Sequence, residues 1–303
     1  MSPTRRRQAV EHVCKGLEVS QRRACKVLSQ PRGTQRYRPR RVDEDRALAA
    51  AMKRLSRMHP RYGYRRITVL LRSEGWSVNR KRAYRLWRQE GLKVPGKKGK
   101  RKRLGDSENS CIRRRAEHVN HVWSYDFVSD QTEDGRRLKM LVILDEYTRE
   151  SLTIEVERRI KAHDVLASLA YLFAVRGAPQ YIRSDNGPEF VAEAIQTWLT
   201  TSGVQTLYIA PGSPWENAYI ESFNSRLRDE LLNAESFGNL REAKVLVEDY
   251  RLRYNHHRPH SSLNYATPAA FAAACLASAP ASAGPAPTPN REEVANSLIR
   301  TGT

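Results

Sequence analysis

The 303-residue chain lacks any run of about 18 apolar residues, the length a membrane-spanning helix needs. Its opening, MSPTRRRQAV, has no apolar segment behind the charges, which excludes a secretory signal. A basic membrane-surface protein stays open as a class, but the sequence offers no obvious amphipathic anchor. Cysteine is scarce. Cys14, Cys25, Cys111 and Cys275 are spaced for neither a disulfide framework nor a zinc site. His118 and His121 resemble half a zinc site, yet no CxxC pair follows, so they read as ordinary polar residues. Reduced thiols in a cytoplasmic chain are the simplest account.

Acid is scarce where base is dense. From Met1 to Arg115 there are 35 Lys and Arg against 9 Asp and Glu; from Ala116 onward there are 18 against 24. The whole net charge of +20 therefore originates in the first third. Such a block suits a phosphate backbone. A disordered basic tail is the bland alternative, but a tail would lack the apolar periodicity seen here. Val10, Val13, Cys14 and Leu17 share one helical face, and Ala24, Cys25, Val27 and Leu28 mark the next, with Ser20 as a possible N-cap. A helix-turn-helix and a plain helical hairpin fit this pair equally. Ile67, Leu70 and Leu71 precede the turn Ser73–Trp76, after which Asn79 caps a helix that turns Ala83, Leu86 and Trp87 inward. Arg80, Lys81, Arg82, Arg85 and Arg88 cover its other faces, as a DNA-reading helix requires, although a solvated basic helix shows the same pattern. The Gly/Pro-broken run Lys93–Arg103 reads as a linker that touches phosphates.

From about Asn120 the period changes. Val122–Val128 alternates as a strand, Leu138–Leu144 is almost wholly apolar like a central strand, and Ser151–Val156 is a third. A helix over Ala162–Val175, a strand over Gln180–Ser184, a helix over Glu189–Thr201 and a strand over Val204–Ile209 follow. Helices over Glu216–Leu232 and Leu240–Asn255 complete a mixed sheet with helices packed on it. After Ala269 the chain turns Ala/Pro/Ser-rich and reads as a disordered tail. The expected division is a helical DNA-binding region over 1–92, a basic linker over 93–117, a catalytic core over 118–269 and the tail over 270–303.

Three acids stand out. Asp126 lies in the first strand, Asp185 directly follows the fourth, and Glu221 lies on the long helix. Gly187 permits a sharp turn beside Asp185. Carboxylates gathered at one sheet edge repel unless cations join them. Two divalent ions roughly 4 Å apart resolve that conflict and activate an attacking water or 3′-hydroxyl for in-line displacement. Mg²⁺ suits such oxygen ligands. Asp145, Glu146, Glu189 and Glu216 are competing acids, and chosen by position alone the trio is weak.

The segments WSYDF, VILDEYTRE, IRSDNGPEF and PGSPWENAYIESFNSRLRDELL resemble the integrase core of bacterial insertion-sequence transposases, in particular the OrfB proteins of the insertion-sequence-three family, relatives of retroviral integrases. Between Asp185 and Glu221 lie 35 residues, the spacing that names this Asp-Asp-Glu group. YNHHRPHSSL resembles the family's C-terminal element, and HPRYGYRRI with the basic helix resembles its helix-turn-helix segment. The resemblance implies an α/β, ribonuclease H-like core: a five-stranded mixed sheet with flanking helices, behind an α-helical helix-turn-helix region. It implies that Asp126, Asp185 and Glu221 are catalytic ligands of Mg²⁺, with Mn²⁺ as a substitute and two ions in the site. It makes Asp145 and Glu216 decoys. Arg228, two turns after Glu221, is placed to hold a phosphate. Asn217 lines the same cleft or caps the helix. Trp123 and Tyr125 read as packing residues; His256, His257 and His260 read as part of a turn ended by Pro259.

The implied reaction cuts one strand at the element's end, and the freed 3′-hydroxyl attacks DNA to give a figure-eight and then an excised circle. The implied partners are double-stranded DNA at terminal repeats and target, further copies of the chain, and the upstream-frame OrfA product, fused by frameshifting or associated. Beginning at its own Met1, the chain reads as the downstream product alone. The setting is the bacterial cytoplasm at the nucleoid. Two rivals stand beside this reading: a non-catalytic DNA-binding regulator, which has no need of three gathered carboxylates, and a nuclease on a related fold.

Overall fold

A computed structural model describes residues 3–37, 41–95, 115–184, 193–208 and 217–278. Asp185, Glu189, Glu216, Cys111 and most of the basic linker lie outside the described residues.

The first helices are α1 (Pro3–Gly16), α2 (Gln21–Val27) and α3 (Arg32–Arg36). Val10, Ala24 and Cys25 bury together, and the Ser20 hydroxyl accepts the Arg23 N–H at the start of α2. A second unit comprises α4 (Val42–Met58), α5 (Tyr64–Ser73) and α6 (Arg80–Gln89). Its core joins Leu48, Met52 and Leu55 of α4 to Ile67 and Leu71 of α5 and to Ala83, Leu86 and Trp87 of α6. The α5–α6 pair forms where the apolar stripes require. Gly75 sits at φ +90° in the turn, a conformation that glycine adopts without a Cβ penalty. Asn79 Oδ1 accepts the Arg82 N–H at 2.7 Å, satisfying one of the open amides of α6.

Five strands form one mixed sheet in the order β3-β2-β1-β4-β5. They are β1 (Val122–Gln131), β2 (Arg137–Asp145), β3 (Ser151–Glu157), β4 (Tyr181–Ser184) and β5 (Gln205–Tyr208). β1, β2 and β3 form an antiparallel meander; β4 lies parallel to β1 and β5 parallel to β4. Helices cover both faces. α9 (Ala218–Leu227) and α10 (Leu240–His256) pack on one; α7 (Ala162–Arg176) and α8 (Glu193–Thr201) pack on the other. This explains why β2 is apolar at every central position. Leu138, Met140, Val142 and Leu144 face α9 and α10, while Leu141 and Ile143 face α7 and α8. Each such side chain taken out of water is worth about 1.5–3 kcal/mol. In β1, Trp123 and Tyr125 face α7 and α8 as packing residues, which leaves Ser124, Asp126 and Val128 toward α9.

Two boundaries differ from expectation. The long helix expected to Leu232 is α-helical only through Leu227 and continues as a π-helical turn over Arg228–Leu232. Nor does order end near Ala269: α11 runs Pro268–Ser278, with Pro268 at its first turn, where a missing N–H does no harm. Its Ala-rich sequence has high helix propensity, which the reading from composition overlooked. No helix among the described residues is long and apolar enough to cross a membrane.

Candidate active site

Asp126 is held from two directions. Its Oδ1 accepts the Phe127 N–H at 2.7 Å, and its Oδ2 accepts Asn224 Nδ2 at 2.8 Å. The second bond crosses from α9 to β1 and joins the strand carboxylate to the helix that carries Glu221. Glu221 is exposed and lies three residues before Asn224, so it shares that side of α9 about one turn away. Asn224 was not among the expected site residues. The signal was present in its spacing from Glu221, since i and i+3 lie on one helix face. Its own side chain is buried.

A buried polar cluster lies two residues back along β1 on the same face. Ser124 Oγ donates to Glu146 Oε1 at 2.9 Å, and Arg183 Nε donates to the same oxygen at 2.9 Å. The Arg183 and Glu146 side chains are only 5% and 0% exposed, so each charge depends on the other. Ser124 pairs with Arg183 in the parallel register of β1 and β4. Glu146 is thus committed to the interior. Asp145 is committed too: its carboxylate accepts backbone N–H groups of Asn120, Tyr147 and Thr148 at 2.9, 2.7 and 3.0 Å. Burial nonetheless pushes its pKa above the usual carboxylate value. Neither acid faces the solvent side on which Glu221 stands.

The remaining expected residues are dispersed. Asn217 occupies the N-cap position of α9 without a side-chain cap bond, and its buried Oδ1 has no partner among the described residues. Arg228 is exposed, and its Nη2 donates to the Ser129 carbonyl at 3.2 Å. That anchors it about 10 Å along β1 from Asp126, at roughly 3.3 Å per residue. On α6, Arg80, Lys81, Arg85 and Arg88 are exposed, and Arg80 also lies over the Tyr265 ring, 5.7 Å from its centroid. Arg82 is turned inward, with Nε 2.7 Å from Asp45 Oδ1 and Nη2 3.1 Å from Glu44 Oε2; Arg85 bonds Asp45 Oδ2 at 2.6 Å. Among the described residues no three His, Cys, Asp or Glu side chains form a metal-binding group. Asp126 and Glu221 are two of the three expected ligands, and Asp185 lies outside that set.

Comparison with known proteins gives consistent assignments. The integrase core domain family matches residues 116–214 and 202–268, and an HTH-like domain family matches 43–101. The insertion element IS476 39.2 kDa protein of Xanthomonas euvesicatoria is 38% identical over 273 residues, covering 90% of this chain and 78% of that protein. The insertion element IS407 31.7 kDa protein of Burkholderia multivorans is 39% identical over 270 residues, covering 88% and 95%. The transposase for insertion sequence element IS904 of Lactococcus lactis is 30% identical over 223 residues, covering 70% and 87%.

Proposed function

The chain belongs to the insertion-sequence transposases with an integrase-type core, and we propose that it cuts and rejoins DNA at the ends of its own element through Asp126, Asp185 and Glu221. The observation that carries the residue assignment is the 2.8 Å bond from Asn224 to Asp126, which brings the Glu221 helix onto the strand carboxylate. The parallel register of β1 and β4, which pairs Ser124 with Arg183, and the end of β4 at Ser184 support taking the next residue as the third ligand.

The donor set fits Mg²⁺, with Mn²⁺ as a substitute, because carboxylate oxygens are hard ligands and an oxygen accepting one hydrogen bond keeps another lone pair. A bound pair of such ions supplies an activated attacking oxygen and a stabilised leaving oxyanion. The chain's own residues do the holding. Asn224 fixes the rotamer of Asp126, Ser124 with Glu146 and Arg183 stiffens the sheet beneath it, and Arg228 offers a cation to a phosphate farther along β1. Arg80, Lys81, Arg82, Arg85 and Arg88 give α6 its positive character, and all but Arg82 are exposed.

The partners in this reading are the element's terminal repeats and a target duplex. Two ends are joined within an oligomer of this chain, with the upstream-frame product fused or associated, in the bacterial cytoplasm at the nucleoid. The test uses the purified chain and a duplex copied from the DNA flanking its reading frame. The expected result is a Mg²⁺-dependent cut that leaves a 3′-hydroxyl and disappears in Glu221→Gln. Cutting by Glu221→Gln at the parental rate would overturn the assignment.

A further inference from the structure

Two sequence segments without a chemical role in this reading, HPRYGYRRI and YNHHRPHSSL, meet in space on the π-helical turn that follows α9. Glu230 of that turn accepts both Nε and Nη2 of Arg258, at 2.9 and 2.6 Å. Arg66 of α5 approaches the same carboxylate, with Nη1 3.7 Å from Oε1. Beside it, Arg61 Nη2 lies 3.4 Å from Asp229 Oδ1. Tyr62 fills the space between: the Arg66 and Arg258 guanidinium carbons are 5.1 and 5.9 Å from its ring centroid. The Arg258 side chain is 2% exposed and that of Glu230 12%, so that pair is largely dry, while Arg61 and Asp229 keep 31% and 23% of theirs exposed.

The contact connects the helix-turn-helix unit to the α9 side of the core. Arg258 also packs over Tyr254, whose ring meets Phe223 edge-on at 4.7 Å, and Phe223 immediately precedes Asn224. Arg80, at the first turn of α6, adds a second junction through Tyr265. Burying such charges adds little net stability, because desolvation offsets their attraction. The bidentate fork does fix an angle. A π-helical turn is also a departure from regular helix that recurs at functional sites.

We propose that Arg61, Arg66, Asp229 and Glu230 are positioning residues, locking the helix-turn-helix unit to the helix that carries Glu221 so that DNA gripped by the unit is cut at one fixed phosphodiester. The proposal rests on the reading of Asp126, Asp185 and Glu221 as the cutting site. It uses none of these positioning residues as a ligand or a base.

The test is a charge swap on the more exposed pair. Arg61→Asp and the double variant Arg61→Asp/Asp229→Arg are compared with the parent on the flanking-DNA duplex, and the cut is mapped to the nucleotide. Hydrogen exchange of the amides at 228–233 is followed in the full chain, a readout that needs no activity. Expected for Arg61→Asp are faster exchange in that turn, DNA affinity within about threefold of parental, cuts spread over neighbouring bonds and a drop of about tenfold or more at the correct bond, since small misplacements cost rate steeply. The double variant restores both exchange and precision. Unchanged exchange in Arg61→Asp overturns the lock, and faster exchange with the same bond cut at the same rate overturns its positioning role. A parent that cuts nothing, with or without the upstream-frame product, refutes the underlying reading instead, which the exchange measurement distinguishes from failure of the lock. Arg66→Gln, which removes the charge near Glu230 but spares the Arg258 fork, gives the same pattern more weakly; parental precision and exchange in that variant would remove Arg66 from the set.

Discussion

Replacing Asn224 with alanine deletes the amide that ties α9 to Asp126 across 2.8 Å. A hydrogen bond to a charged group contributes about 1.5–3 kcal/mol. At about 1.36 kcal/mol per tenfold in rate, its removal slows strand cleavage by roughly ten- to a hundredfold if the bond serves to orient the carboxylate. Asn224 is buried, and in this account it touches Asp126 and no DNA, so affinity for the duplex stays within about twofold of parental. The assay is single-turnover cleavage with protein in excess, which separates the cutting step from binding, together with a thermal melt. An Asn224→Ala variant that cuts at the parental rate would refute the orienting role. Equal losses of fold, binding and cleavage would show the amide to be a packing element only.

Other expectations follow from groups around the site. Arg183→Met removes the guanidinium bonded to the Glu146 carboxylate in a dry interior and destabilises the fold by about 3–5 kcal/mol, read as a lower urea midpoint; adding Glu146→Gln recovers much of it, and a parental midpoint in the single variant would contradict the buried pair. His260 is held neutral, its pKa lowered to about 3 by burial and then by the charges of Arg226, Arg258, Arg149 and Arg66. Its folded value lies below the unfolded one, so its contribution is complete above about pH 6.5 and is lost as pH falls toward 3. Between pH 6.5 and 5, therefore, the stability of His260→Asn falls less steeply than that of the parent; identical slopes would show that His260 titrates normally. Changing Lys81 and Arg88 to Gln weakens DNA binding and flattens its salt dependence by about 0.9 for each phosphate no longer neutralised. Arg82→Gln instead lowers the melting temperature, because Asp45 keeps only Arg85 and Glu44 only the longer contact to Arg41.

Much of the architecture was legible because burial imposes periods on sequence. β2 is apolar from Met140 to Leu144 since helices cover both its faces, and β1 alternates since Trp123 and Tyr125 pack one way while Asp126 points the other. The α5–α6 pair was visible through its stripes and the Asn79 cap. What escaped was of two kinds. α4 buries Leu48, Met52 and Leu55 amid alanines and charges, a weak stripe that tertiary packing strengthens, and α11 is Ala-rich enough to look like a tail. The other kind was pairing across distance. That Arg82 turns to Asp45, that Asn224 reaches Asp126 and that Arg66 and Arg258 share Glu230 depends on how elements pack, which no local period records. Asp126 and Glu221 are expected as ligands from the family's motifs and not from any local period, and the buried bonds of Asp145 and Glu146 support leaving those two acids out of the proposed site.

The most direct test of the central claim is formation of excised circles in cells. A plasmid carries the element's two ends, and the chain is supplied alone or fused to the upstream-frame product. Amplification across the joined ends compares the parent with Asp126→Asn, Asp185→Asn and Glu221→Gln. The account predicts circles from the parent in at least one of the two forms and none from any of the three variants, all of which still bind the ends. Circles from a variant would contradict its role as a metal-holding carboxylate, and parental protein that binds the ends in both forms yet yields no circle would contradict the transposase reading in favour of a DNA-binding regulator.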